Sequence, residues 1–153
     1  MNTLTLDIHA VPFRMPTELC DLRLFQTDVA DYTHAQLATL NELLSATECE
    51  KVKRYLHKRD KLLSVVAHGN LRRILGKTLQ TDPKKLAIDT ATYGKPRLKD
   101  ADVYLDFNIS HAGSKVVIAV DKLTAQTPFG QSRVGIDVER INPMIDIQVI
   151  AKY

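Results

Sequence analysis

The chain has 153 residues, 44% of them apolar and 25% charged, with a formal charge of +3. These are ordinary values for one globular domain with its own core, and the mild basicity suits a phosphate-bearing ligand or an acidic partner. No apolar run approaches the roughly eighteen residues that span a bilayer, Cys20 and Cys49 make no C-x-x-C pair for structural zinc, and the chain opens without a basic segment or apolar signal core. A cytoplasmic protein with reduced thiols and no membrane association is the expectation.

Thr3–Ala10 alternates Leu4, Leu6 and Ile8 with polar residues, which predicts a strand ended by Pro12 and Pro16. Residues 17–32 read equally as strand or packed loop. Ala35–Leu44 places Leu37, Leu40, Leu43 and Leu44 at helical spacing. A second helix starts at a capping box, either Ser45 with Glu48 or Thr47 with Glu50, and runs towards His57.

Lys58–Leu75 is the longest helical pattern. Leu63, Val66, Ala67, Leu71 and Ile74 share one face, with Lys58, Arg59, Lys61, Arg72 and Arg73 placed elsewhere. Gly69 in mid-pattern suggests close packing, and Gly76 is the expected C-cap. Thr81-Asp82-Pro83 then opens a short helical turn. From there the period changes to two: Leu86–Asp89, Val103–Ser110, Lys115–Val120 and Arg133–Arg140 read as strands. Ala112-Gly113 forms a tight connection, and Leu123–Ser132 forms a longer polar loop. The order predicts an α+β fold, an antiparallel sheet with helices packed on one face.

Three segments combine special backbone residues with charge. In Tyr93-Gly94-Lys95-Pro96, the glycine permits an unusual φ and the proline biases Lys95 towards extended backbone, so the ammonium sits on a stiff turn. That fits phosphate contact or a plain β-turn. Phe107-Asn108-Ile109-Ser110-His111 brings a hydroxyl and an imidazole to a strand end. Adjacent strand residues face opposite ways and no G-x-S-x-G elbow exists, which excludes a hydrolase reading. In Gly135-Ile136-Asp137-Val138-Glu139, a strand period would put Asp137 and Glu139 on one face, either as a solvated face or as a Mg²⁺ platform.

In this order the three segments, with the basic run Lys53–Asp60 upstream, resemble the 4′-phosphopantetheinyl transferases of the Sfp type over about residues 45–152. The small carrier-protein-synthase branch is less similar, because its Gly-Ile-Asp motif lies near the N-terminus. The resemblance implies transfer of the phosphopantetheine arm of coenzyme A to a serine of an acyl or peptidyl carrier protein. It implies that Asp137 and Glu139 bind Mg²⁺ and serve catalysis, and that Lys95, Ser110 and His111 hold phosphates. Lys51, Lys58 and Ser64 are further coenzyme A-binding candidates. Glu48 stands where the family commonly has a basic residue, so no contact is carried over there.

Sfp-type chains are longer and built of two similar halves, the second supplying a Trp-x-x-Lys-Glu-type segment. This chain has no Trp. The resemblance therefore implies a single domain over residues 1–153 that corresponds to the first of two pseudo-symmetric halves, truncated after Tyr153. Little transferase activity is then expected until a second half or self-association completes the site. A non-catalytic coenzyme A- or nucleotide-binding module is the alternative, and a nucleic-acid binder has only the Lys51–Arg73 charges behind it.

Overall fold

The computed structural model describes residues 9–11, 21–90, 94–99, 105–122 and 134–141. Its elements, in chain order, are β1 (His9–Val11), β2 (Asp21–Asp28), α1 (His34–Asn41), α2 (Ala46–Arg54), α3 (Lys58–Leu79), β3 (Ile88–Thr90), β4 (Pro96–Leu98), β5 (Leu105–Ala112) and β6 (Lys115–Lys122). Short 3₁₀ turns occupy Val29–Asp31 and Pro83–Lys85. The fold is α+β, as the change of period along the sequence requires.

Four strands form an antiparallel sheet in the order β1-β2-β6-β5, and β3-β4 is a separate two-stranded ribbon. The β5–β6 hairpin closes through Gly113-Ser114, where Gly113 has φ +60 and Ala112 pairs with Lys115. Central strand β6 presents Val116, Ile118 and Val120 to the core, joined from β5 by fully buried Phe107.

Helix α3 covers this sheet, and α1 and α2 pack on α3. Its expected apolar stripe is all buried. Gly69 is there because Leu40 of α1 approaches: a Cβ at Gly69 would lie 2.8 Å from Leu40 Cβ and 3.0 Å from Leu40 O. Gly69→Ala should therefore destabilise the fold by about 1–3 kcal/mol through overpacking, although alanine is the better helix former. Chemical denaturation checks the sign.

Asp28, at the end of β2, ties that strand to the hairpin turn. Its carboxylate accepts from Ala30 N at 2.9 Å and Ser114 Oγ at 2.7 Å, and it pairs with Lys115 Nζ at 3.0 Å. The Ala30 amide first, then Ser114 and Lys115, pull its pKa from 3.8 down to about 2. A depressed carboxylate contributes stability above its unfolded pKa that is lost as pH falls through the folded one. Asp28→Asn should thus lower stability at pH 7 and make little difference near pH 2, measured as denaturation midpoints at the two pH values.

Several sequence expectations change. Residues 17–32 contain strand β2. The capping box is Ser45 with Glu48, whereas Glu50 pairs with Lys53 at 2.7 Å. Helix α2 stops at Arg54, short of His57, which is the N-cap position of α3. Gly76 does not cap α3; the helix continues to Leu79, and Gln80 turns left-handed at φ 52. Gly76 instead makes room for the following turn, since a Cβ there would meet Pro83 Cγ and Thr81 O at 2.8 Å.

Arg72 is not off the buried face. It is 1% exposed, with Nε donating to Glu48 Oε2 at 2.7 Å and Nη1 donating to Pro83 O and Leu86 O, both at 3.0 Å. Strand β4 was not anticipated; it pairs with β3 across Gly94. Arg133–Arg140 is not a strand over its described part, since residues 134–140 join no ladder. Of the expected strand Thr3–Ala10, His9 and Ala10 lie in β1, while residues 3–8, the loop at 123–132 and the segment at 150–153 lie outside the described residues.

Candidate functional site

Strand β5 organises the site, because two of its side chains tie the three charged motifs together. Asp106 is the first. Lys95 Nζ lies 2.7 Å from its Oδ1 and 2.7 Å from its Oδ2, and Val134 N donates to Oδ2 at 2.6 Å. Ser110 is the second. Its Oγ donates to Asp137 Oδ1 at 2.7 Å and accepts from Val138 N at 3.2 Å. Residues 134–141 thus lie along β5 by side-chain bonds in place of a backbone ladder.

The period of two survives in their exposure. Val134, Ile136 and Val138 are half-buried, while Gly135, Asp137 and Glu139 face solvent. Apolar alternation therefore docks the segment on the domain and leaves both carboxylates accessible. Asp137 Oδ1 also accepts from Val138 N at 2.9 Å, so this carboxylate is held in one orientation. Among the described residues no group of three or more His, Cys, Asp or Glu side chains converges as a metal site.

Beside the Ser110 end of β5 is a cavity of about 310 Å³. Lys51 reaches it from α2, His68 from α3, Thr90 and Gly94 from the β3–β4 ribbon, and Asn108, Ser110 and His111 from β5. Three potential cations, the hydroxyls of Tyr55, Thr90 and Ser110 and the Asn108 amide thus line one polar concavity, a donor-rich setting for an anion. Gly94 has φ +83, the unusual conformation expected of it, at the rim.

The α2 wall is fixed by charge. Glu48 Oε2 accepts from Ser45 N at 2.7 Å, closing the helix cap, and from Arg72 Nε at 2.7 Å, binding α2 to α3. Its other oxygen lies 3.9 Å from His68 Nδ1. Burial pushes the His68 imidazole down to about 4, assisted by Lys51, His111 and Arg72, with only Glu48 opposing. His68 is therefore neutral at pH 7, and its contact with Glu48 is then not an ion pair.

Of the residues singled out from sequence, the structure brings Lys51, Ser110 and His111 to the cavity and Asp137 to Ser110, with Glu139 exposed nearby in sequence. Lys95 does not line the cavity; its ammonium is engaged by Asp106. Lys58 lines a different groove, of about 430 Å³, with Tyr32, Leu37 and Leu62. Ser64 is 1% exposed on α3 and its Oγ has no hydrogen-bond partner among the described residues. Sequence reasoning missed His68 and Asp106. A signal for His68 was present, since it lies one turn from both Ser64 and Arg72 on the α3 face towards α2 and β5. Asp106 carried none, being one acid on a strand.

Comparison with known proteins gives four matches. Residues 31–123 match the family model described as 4′-phosphopantetheinyl transferase, N-terminal. The chain is 32% identical over 124 residues to the 4′-phosphopantetheinyl transferase HetI of Nostoc sp., covering 80% of this chain and 49% of that protein. It is 29% identical over 111 residues to the Bacillus subtilis 4′-phosphopantetheinyl transferase Sfp, covering 72% of this chain and 44% of that protein. The chain thus spans about half the length of the curated relatives it matches. A solved holo-[acyl-carrier-protein] synthase of Helicobacter pylori in complex with coenzyme A superposes with a TM-score of 0.49 at 17% identity, over 67% of this chain and 99% of that one.

Proposed function

The chain belongs to the 4′-phosphopantetheinyl transferase family, Sfp type, and from that premise we propose that it supplies the coenzyme A-binding part of an enzyme that transfers the phosphopantetheine arm to a serine of an acyl or peptidyl carrier protein. In that transfer the serine oxygen bonds to the phosphorus carrying the pantetheine. The bond from that phosphorus to the bridging pyrophosphate oxygen breaks, and 3′,5′-ADP leaves. The observation that carries the reading is the linkage of three motifs on β5: Ser110 lines the anion-suited cavity and at the same time holds Asp137 at 2.7 Å.

In this reading Lys51 and His111 bind phosphate oxygens from two sides of the cavity, and Ser110 orients Asp137. Lys95 adds positive charge at the ribbon, moderated by Asp106. Asp137 and Glu139 offer hard oxygen donors that fit Mg²⁺, an ion commonly held by one or two carboxylates plus substrate phosphates. Bound there, it would offset pyrophosphate charge and act as a Lewis acid. The chain's own contribution is positioning and charge stabilisation of an in-line displacement.

We propose further that residues 1–153 are one domain whose activity alone is low. One observation supports this: the chain spans about half of the length of the curated relatives it matches. The test supplies coenzyme A, Mg²⁺ and an apo carrier protein, then reads the carrier's mass with and without the C-terminal half of an Sfp-type relative. A phosphopantetheine mass gain that needs the added half is expected. Fast gain with the 153 residues alone would overturn the requirement for completion. Coenzyme A binding with no gain under either condition would favour the non-catalytic binding module.

A further inference from the structure

We propose that His68 is a ligand-binding residue of the cavity that takes up a proton when a phosphate group enters, so that anion binding at this site is coupled to protonation. The inference rests on the reading of the cavity as the coenzyme A phosphate site and adds to it a residue and a linkage.

The geometry has two sides. His68 lines the cavity from α3, together with His111 and Ser110 of β5 and Lys51 of α2. Behind the ring, Glu48 Oε1 lies 3.9 Å from Nδ1, and Glu48 is itself fixed by Arg72 and the α2 cap. An anion in the cavity would therefore leave the imidazole between a carboxylate behind and a phosphate in front, with a ring nitrogen for each.

In the free protein burial is the main obstacle to protonating the ring. Glu48 of α2 favours the imidazolium, whereas Lys51 of α2, His111 of β5 and Arg72 of α3 disfavour it, and burial outweighs them all. A phosphate reverses this balance, because it screens Lys51 and His111 and adds negative charge beside the ring. The sign follows from linkage. The group binds a proton more tightly in the complex, so protons are taken up on binding, and affinity rises as pH falls through the bound-state pKa towards the free value of about 4.

The alternative role of His68, packing alone, involves no proton. Isothermal titration of the whole chain with coenzyme A in buffers of different ionisation enthalpy separates the two. Uptake approaching about one proton per ligand is expected near pH 6, falling towards zero by about pH 8. His68→Gln should bind with about ten-fold lower affinity at pH 6, with a smaller loss at pH 8, and its uptake should drop well below that of the wild type. The imidazole ¹H resonance of His68 in the wild-type chain, titrated with and without coenzyme A, gives the same answer without a variant. An unchanged His68 titration on binding, or equal uptake in wild type and His68→Gln, overturns the inference and leaves the coenzyme A site intact. Absence of coenzyme A binding at every pH overturns both.

Discussion

Arg72→Ala should lower stability by about 3–5 kcal/mol, the usual effect of removing one partner of a buried, hydrogen-bonded ion pair. Arg72 is 1% exposed and Glu48 is mostly buried, so the substitution leaves a mostly buried carboxylate with the Ser45 amide as its hydrogen-bond donor. It also removes the donor to Pro83 O and Leu86 O, releasing the turn between α3 and β3. At roughly 2–4 °C per kcal/mol for a chain of this size, the melting temperature falls by about 6–20 °C. Glu48→Gln retains the helix cap but leaves the guanidinium without a counter-charge, so a similar loss is expected there. A change below about 1 kcal/mol in Arg72→Ala would mean that the pair does not hold α2 on α3. Function depends on the same contact, because Lys51 lies on α2 one turn beyond Glu48 and reaches the cavity only while that helix keeps its rotation.

Asp137→Asn is expected to behave in the opposite way, with folding kept and ligand binding changed. The residue is exposed, and an asparagine oxygen can still accept from Ser110, so stability should move by no more than about 0.5 kcal/mol. With Mg²⁺ present, affinity for coenzyme A should fall about 10- to 100-fold, equivalent to about 1.4–2.8 kcal/mol, if one of the two proposed anionic metal donors is gone. Without Mg²⁺ the variant should bind as tightly as wild type or better, because a carboxylate next to phosphates repels them. Calorimetric titrations with Mg²⁺ and with EDTA measure both arms. Equal affinity of the two proteins in Mg²⁺ would remove Asp137 from the metal site.

The sequence made the elements legible wherever one period dominated. The α3 stripe and the β5–β6 hairpin follow directly from patterns in which each residue faces either core or solvent. It was less informative where tertiary partners decide. Arg72 reads as a surface cation on charge alone, and only the arrival of Glu48 from α2 and two carbonyls after Pro83 makes its burial possible. Residues 134–140 have a strand's alternation without a strand's ladder, because the neighbouring β5 side chains Asp106 and Ser110 take their amides.

The candidate site divides in the same way. Ser110 and His111 came from motif order and Lys51 from the basic segment, and the cavity brings the three together. Lys58 and Ser64, inferred from nearness to the basic run, fall on other parts of α3: helical rotation sends Lys58 to a separate groove and Ser64 into the interior. His68 was overlooked because no motif names it, although its spacing one turn from Ser64 and Arg72 was there to read. Its meaning comes from the three elements around it.

The central claim is that the cavity between α2, α3 and β5 is where coenzyme A places its phosphates. Mapping chemical-shift changes during a coenzyme A titration with Mg²⁺ tests it most directly. The largest shifts are predicted at Lys51, His68, Gly94, Ser110 and His111, extending to Asp137 and Glu139. Shifts confined to the opposite side of α3, around Phe25, Lys77 and Pro83, or no shifts at saturating coenzyme A, would contradict it.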